Sequence, residues 1–295
     1  MNAPVTALAG WFGGKRTLAP KIVEVLGPHQ VYWEPFCGSM AVLFAKPPCR
    51  QETVNDLHGD LVNLARTVAD EDGAVKLYTR CARTLFSETL FRESAEIVKR
   101  PMFGSSDDRA YHFFVTSWMG MNGTGGTATS SSATFARRYT SNGGSPAKRF
   151  SSAVESIPAW HERLRSVIIL SGCGIELCER IEDKPGTVIY CDPPYLVKGA
   201  KYQHDFAIGA EGIFGCEDDH MRLARSLARF RRTRVVVSYY DHADLEKLYP
   251  GWEKLDCSMS KALTSSGRRI GGVVVAPEVL LVNRRDAEPN LFGGE

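Results

Sequence analysis

The chain has 295 residues but no apolar run long enough to cross a bilayer, and no basic N-terminal stretch leading into an apolar one. A membrane or secreted protein is therefore not expected, and a cytoplasmic one is. The eight cysteines include no C-x-x-C pair, and no paired thiols or His-x-His complete a zinc set. Reduced thiols and no metal are the expectation. Charge of one sign is also missing. The net charge is +2, so any nucleic-acid contact must come from local basic patches. No internal repeat is visible. With 43% hydrophobic and 24% charged residues, the composition is that of a soluble globular protein. The length allows one large core, or a core plus an inserted module.

Helix and strand signals alternate at both ends of the chain. Leu18 to Leu26 has helical spacing, with Pro20 tolerated in the first turn. Gln30 to Trp33 reads as a strand, Met40 to Ala45 as a helix, Gln51 to Val54 as a strand and Leu57 to Ala69 as a helix. Such alternation predicts a parallel sheet. Residues 76–119 read as helical, and residues 120–152 as one long Gly/Ser/Thr/Arg loop. Within that loop lies a basic-aromatic subset: Phe135, Arg137, Arg138, Tyr139, Lys148, Arg149 and Phe150. Either a surface loop or a segment that orders on nucleic acid fits this composition. The alternation resumes with strands over Val167 to Leu170, Val188 to Cys191 and Val235 to Tyr239. A helix is expected from the acids at 217–219 to Arg231-Arg232. Gly272 to Ala276 and Val279 to Val282 suggest a closing hairpin.

The chemistry concentrates at strand ends. Val188 to Cys191 is apolar on both faces, as in a buried parallel strand, and runs into Asp192-Pro193-Pro194-Tyr195. Proline donates no N–H, so the ladder stops there and leaves a carboxylate, a free carbonyl and an aromatic face. Two acceptors beside a ring suit a planar base with an amino group. Two further loops belong to the same sheet edge. Glu34-Pro35-Phe36-Cys37-Gly38-Ser39 joins a strand to a helix, with Gly38 permitting close backbone approach. Asn55-Asp56 ends the next strand, where an acid suits ribose hydroxyls. Together the loops describe a nucleoside-type cofactor beside an amino-bearing base. Gly10 to Arg16 invites a P-loop reading, but its spacing is one residue short, and Arg16 stands where the hydroxyl should be.

Trp11-Phe12-Gly13-Gly14-Lys15, Glu34 to Gly38, Asn55-Asp56 and Asp192 to Tyr195 resemble, in content and order, the motifs of Dam-like adenine-specific DNA methyltransferases in their alpha arrangement. Tyr202 to Phe206, Asp219 to Ala224, Val237 to Tyr239 and Leu248 to Trp252 look closest to the phage and prophage branch. The resemblance implies a Rossmann-like α/β methyltransferase sheet with helices on both faces. Residues 1–69 and 161–295 would form the catalytic domain, and residues 70–160 an inserted, mostly helical target-recognition region. It implies S-adenosylmethionine as methyl donor and double-stranded DNA as partner, bound by a monomer in a bacterial or phage-infected cell. By similarity Trp11, Gly13 and Lys15 line the methionine end of the cofactor pocket. Glu34, Phe36 and Gly38 form its first loop, and Asp56 binds the ribose. Asp192 and the Pro193 carbonyl hold the amino group of a flipped adenine, with Pro194 completing the catalytic turn and Tyr195 stacked on the ring.

Two departures stand out. Relatives carry an acid for the cofactor's adenine where this chain reads Ser171-Gly172-Cys173-Gly174-Ile175, and the recognition-hairpin pattern of GATC-specific members is absent. Strict site specificity and relaxed specificity both remain open, as does membership of a restriction system, a phage or a housekeeping pathway. Arg137, Arg138, Lys148, Arg149, Arg268 and Arg269 are the candidate DNA contacts. The alternatives are a cytosine-N4 methyltransferase, disfavoured by an aspartate where such enzymes usually have serine, a nucleotide hydrolase and a non-catalytic DNA-binding protein.

Overall fold

The computed structural model describes residues 4–11, 13–101, 106–121, 134–139, 144–196, 218–257, 259–261, 274–276 and 278–284. Strands β1 (Val31–Glu34), β2 (Gln51–Asp56), β3 (Ile168–Ser171), β4 (Thr187–Cys191) and β5 (Arg234–Tyr240) run parallel. β6 (Glu253–Asp256) and β9 (Glu278–Val282) complete the sheet, β9 lying antiparallel to both β5 and β6. The order is β3-β2-β1-β4-β5-β9-β6. From β1 the chain builds outward through β2 and β3, then returns to β4 on the other side. A topological switch point therefore lies between β1 and β4, where ligands of open α/β sheets bind.

Alternation along the strands explains why both faces are covered. In β4, Val188 and Tyr190 enter one apolar core while Ile189 and Cys191 enter the other. Helices α1 (Ala19–Leu26), α2 (Ala41–Ala45) and α3 (Gly59–Ala69) pack the first face. Helices α8 (Gly174–Arg180), α9 (Asp219–Ala228) and α10 (Leu245–Leu248) pack the second. This is the expected Rossmann-like α/β sheet. Between β2 and β3 stand α4 (Glu71–Ala82), α5 (Glu88–Lys99), α6 (Asp107–Met119) and α7 (Pro146–Leu164). They are fastened to the sheet domain through α3, where Arg109 of α6 grips both carboxylate oxygens of Asp60. Among the described residues no helix is long and apolar enough to cross a membrane.

Three expectations need correction. Residues 120–152 are not one long loop, because α7 begins at Pro146, where a proline suits the first helical turn. Lys148 and Arg149 therefore stand on its first turn. Phe135 and Phe150 are packing residues, in ring contact with Phe86, Phe91 and Phe114. The last strands do not form a hairpin with each other. β8 (Val274–Ala276) pairs with β7 (Met259–Lys261), while β9 inserts between β5 and β6. Periodicity cannot distinguish these pairings, because register depends on distant partners. Finally, α9 stops at Ala228, short of Arg231-Arg232. The run from 229 to 234 is anchored through Arg229 and its backbone, while Arg231 and Arg232 remain exposed. Arg229 donates to the carbonyls of Cys178, Glu179 and Ile181, and Asp183 accepts the backbone N–H groups of Arg231, Arg232 and Thr233.

Candidate active site

The loop after β1 turns twice through left-handed backbone, at Gly38 (φ 45°) and Met40 (φ 59°). Glycine is needed at 38 for space as well as for φ, since a Cβ there would lie 3.0 Å from the Trp11 indole nitrogen. The Gly38 N–H donates to Asp56 Oδ2 at 2.8 Å, and Asp56 Oδ1 accepts from the His58 N–H at 2.8 Å. The Asn55 amide donates to the carbonyls of Pro35 and Gly172, both at 2.9 Å. Thus the loops after β1, β2 and β3 are tied together, and Trp11 lies against the first of them. Gly174 serves the same packing. A Cβ there would meet the Phe36 ring at 2.6 Å and the Pro35 carbonyl at 2.7 Å.

Beyond the end of β4 lies a buried charge cluster. The Lys15 ammonium sits 2.9 Å from Asp192 Oδ1 and 3.0 Å from Glu278 Oε1, donates to the Gly13 carbonyl, and lies 5.0 Å from the Tyr195 ring centre. Ser238 also donates to Asp192 Oδ1, at 2.8 Å, and the Tyr195 hydroxyl donates to Glu278 Oε1 at 2.8 Å. No described residue donates a hydrogen bond to Asp192 Oδ2 or to the Pro193 carbonyl. Burial raises the Asp192 carboxyl above its ordinary pKa, although Lys15 pulls it back. Burial alone would lower the Lys15 pKa, but Asp192, Tyr190 and Glu278 outweigh it and keep the ammonium charged. Burial pushes the Glu34 carboxyl up to about 8, against the hydroxyl of Tyr32, which donates to it at 2.9 Å, and assisted by the charge of Asp192.

Of these groups Lys15, Glu34, Tyr190 and Asp192 line one cleft of about 970 Å³, its open mouth included, at the switch point. Trp11, Gly13, Lys15, Glu34, Phe36, Gly38 and Asp56 all line it, as do Asp192, Pro193 and Pro194. Tyr195 stands just outside, its ring edge-on to Tyr240 at 4.5 Å. Cys173 and Gly174 also line the cleft, so the β3 loop contributes no carboxylate to it. Among the described residues no group of three or more metal-ligating side chains converges. The candidate DNA contacts are dispersed. Arg137 pairs with Glu88 at 2.5 Å, and Arg138 is exposed. Lys148 and Arg149 border a neighbouring cleft, and Arg268 and Arg269 lie outside the described residues.

The P-loop reading fails on geometry. Among the described residues no strand precedes Gly10, and Lys15 is engaged by two carboxylates. Sequence reasoning missed Glu278 and Ser238. The available signals were a lone acid in the apolar run from Val273 to Val282, and a hydroxyl interrupting Val235-Val236-Val237. Only the sheet order places both beside Asp192.

The fold is thus a Rossmann-like α/β sheet with its cleft at the switch point, where Asp192 Oδ2 and the Pro193 carbonyl accept from no described residue. Residues 11–258 match the family model of the D12 class N6 adenine-specific DNA methyltransferases, and the chain belongs to that family. Its reaction is methylation of the exocyclic nitrogen N6 of adenine in DNA. Among curated relatives, DNA adenine methylases from two Vibrio cholerae O1 strains (O395 and El Tor Inaba N16961) are each 24% identical over 269 residues, covering 88% of this chain and 91% of theirs. Among solved structures, the rRNA methyltransferase AviRa from Streptomyces viridochromogenes aligns with 15% identity and a TM-score of 0.39, over 96% of this chain and 88% of its own. A second structure of it aligns with 13% identity and a TM-score of 0.39, over 91% and 83%.

Proposed function

We propose that the cleft binds S-adenosylmethionine and that Asp192 and Pro193 hold the amino group of a flipped adenine beside it. The observation that carries this reading is the asymmetry of the Asp192 carboxylate. Lys15 and Ser238 both engage Oδ1, leaving Oδ2 and the Pro193 carbonyl as acceptors that no described residue claims. An adenine amino group has two N–H donors to offer such a pair. Its lone pair is delocalised into the ring, and two acceptors draw the nitrogen toward a tetrahedral geometry that localises it. Positioning and electrostatics then account for most of the catalysis.

The cleft fits the cofactor. Gly38 leaves a cradle that a Cβ would fill, Trp11 and Phe36 supply aromatic surface, and Asp56 holds its carboxylate at the rim. When bound, S-adenosylmethionine supplies an electrophilic methyl group. Trp11, Gly13 and Lys15 hold its methionine end, Glu34, Phe36 and Gly38 its middle, and Asp56 the ribose. Lys15 opposes the burial that raises the Asp192 pKa and so favours the carboxylate whose Oδ2 accepts, and the excess proton on the methylated nitrogen can leave afterwards. The adenine leaves the duplex to reach Asp192, with Tyr195 as its stacking partner. Residues 70–160 deliver the site to this cleft, and the enzyme acts as a monomer on DNA. Its Gly/Ser-rich segment is consistent with relaxed as well as site-specific recognition.

Asp192→Ala tests this reading. Transfer of labelled methyl groups to DNA should disappear, while calorimetric affinity for S-adenosylmethionine stays within a few-fold. An active Asp192→Ala enzyme would sink it.

A further inference from the structure

A second cleft, of about 1600 Å³ with its open mouth included, adjoins the first and shares Trp11, Gly14 and Ser39 with it. Arg16, Lys148 and Arg149 line it, and no described carboxylate does. None of the three forms an ion pair or side-chain hydrogen bond with a described residue. Some other surface arginines have carboxylate partners: Arg80 with Asp108, Arg92 with Glu88, Arg222 with Glu179. The unmatched cations are also placed at electrostatic cost. Exposed though it is, the charged Arg16 guanidinium is disfavoured by the protein atoms crowding it and by the charge of Arg149. Lys148 and Arg149 stand on the first turn of a 19-residue helix, α7, which has neither an acid in that turn nor a side-chain cap. Cations there oppose the helix dipole, whose N-terminus favours an anion.

An anion bridging α7 and the Arg16 turn would offset the repulsion between Arg16 and Arg149 and the opposition of the helix dipole. Two anionic ligands could reach it: a DNA phosphodiester, or the carboxylate of a cofactor in the adjoining cleft. Three cations exceed what one carboxylate needs, and the cleft is wide and open. It also joins the helical region to the sheet domain beside the candidate methyl-transfer site. We propose that Arg16, Lys148 and Arg149 seat the backbone phosphates flanking the target adenine, an inference that rests on the reading of the adjoining cleft as the methyl-transfer site. These cations would hold the strand while its base enters the pocket, contributing affinity without sequence preference.

The test uses the full-length protein and a short duplex centred on an adenine that the wild type methylates. For Arg16→Gln/Arg149→Gln, the slope of log affinity against log salt should fall by about 1.8, at roughly 0.9 for each phosphate no longer neutralised. Lys148→Gln alone should lower it by about half that. Affinity for S-adenosylmethionine should stay within twofold. Neutral methylphosphonate linkages beside the target adenine should reproduce the loss in the wild type and add nothing once Lys148→Gln is combined with the double variant. An unchanged slope, or additive losses from variant and methylphosphonate, would overturn the proposal. Loss of cofactor affinity would overturn it too, assigning the cations to the cofactor carboxylate. Binding is read without turnover, so this outcome is separate from that of Asp192→Ala. Equal thermal midpoints confirm that the exposed substitutions leave the fold intact.

Discussion

Two buried charge clusters sit at opposite ends of the parallel strands, built from the same residue types, and they behave in opposite ways. At the start of β2, Glu52 is gripped by Lys46 at 2.5 Å and by both terminal nitrogens of Arg163. Lys46 also donates to the Pro47 carbonyl and lies 4.7 Å from the Tyr32 ring centre. Burial would raise the Glu52 pKa, but its two cations outweigh burial and hold it below the ordinary carboxylate range. Past the end of β4, one cation, Lys15, serves two acids, and burial leaves Asp192 above that range. In the first cluster the carboxylate is saturated, both Glu52 oxygens being engaged by Lys46 and Arg163. The second has more acceptor capacity than its own donors satisfy and opens on the cleft. Carboxylates held at a net electrostatic disadvantage mark functional sites in a way that satisfied ion pairs do not.

The sharpest way to break this contrast is to remove each acid in turn. Glu52→Ala strands two buried cations and should lower unfolding free energy by about 3–5 kcal/mol, read from denaturant curves. Whatever remains folded should retain its affinity for S-adenosylmethionine. A stability change under about 1 kcal/mol would show that the saturated cluster contributes no more than an exposed ion pair, and the comparison would collapse. Because Glu52 has a lowered pKa, its contribution is present above the unfolded-state value near 4.5 and fades as pH falls through the folded one.

Glu278→Gln asks whether the second cluster acts in the reaction. Glutamine keeps an oxygen to accept from Tyr195 but removes one of the two charges holding Lys15. Lys15 should then settle wholly on Asp192 and weaken its hold on the target amino group. The expected loss is about 10- to 100-fold in kcat, roughly 1.4–2.7 kcal/mol, with little change in KM for S-adenosylmethionine. A lower melting temperature with unchanged kcat would make Glu278 a packing residue instead.

The two clusters also differ in how far the sequence revealed them. Asp192 was legible because Pro193 and Pro194 end a strand that is apolar on both faces, and local backbone chemistry makes that pattern readable. Glu34, Gly38 and Asp56 were legible for a similar reason, each standing at or just past a strand end within a single β-α unit. Glu278 and Ser238 were not, because their role depends on β9 entering the sheet antiparallel beside β5, a pairing that no local pattern encodes. Lys148 and Arg149 were seen as basic, yet their helix was missed. Glycine and serine just upstream masked the Ser145-Pro146 start, and the apolar residues of α7 recur only from Phe150 onward.

The smallest effect sharpens the contrast within the cleft itself. Glu34 holds its proton up to about pH 8 when folded, whereas an unfolded glutamate releases it near 4.5. Between those values the folded state binds the extra proton, so stability must fall as pH rises across that window, the reverse of the Glu52 effect. The slope contributed by one such group is at most about 1.4 kcal/mol per pH unit. Glu34→Gln keeps an oxygen to accept from Tyr32 and removes the titration, so unfolding midpoints between about pH 5.5 and 7.5 should decline less steeply than in the wild type. If the variant retained the full wild-type slope, Glu34 would be ionised at neutral pH. The cofactor side of the cleft would then carry a negative charge rather than a neutral carboxyl able to donate a hydrogen bond.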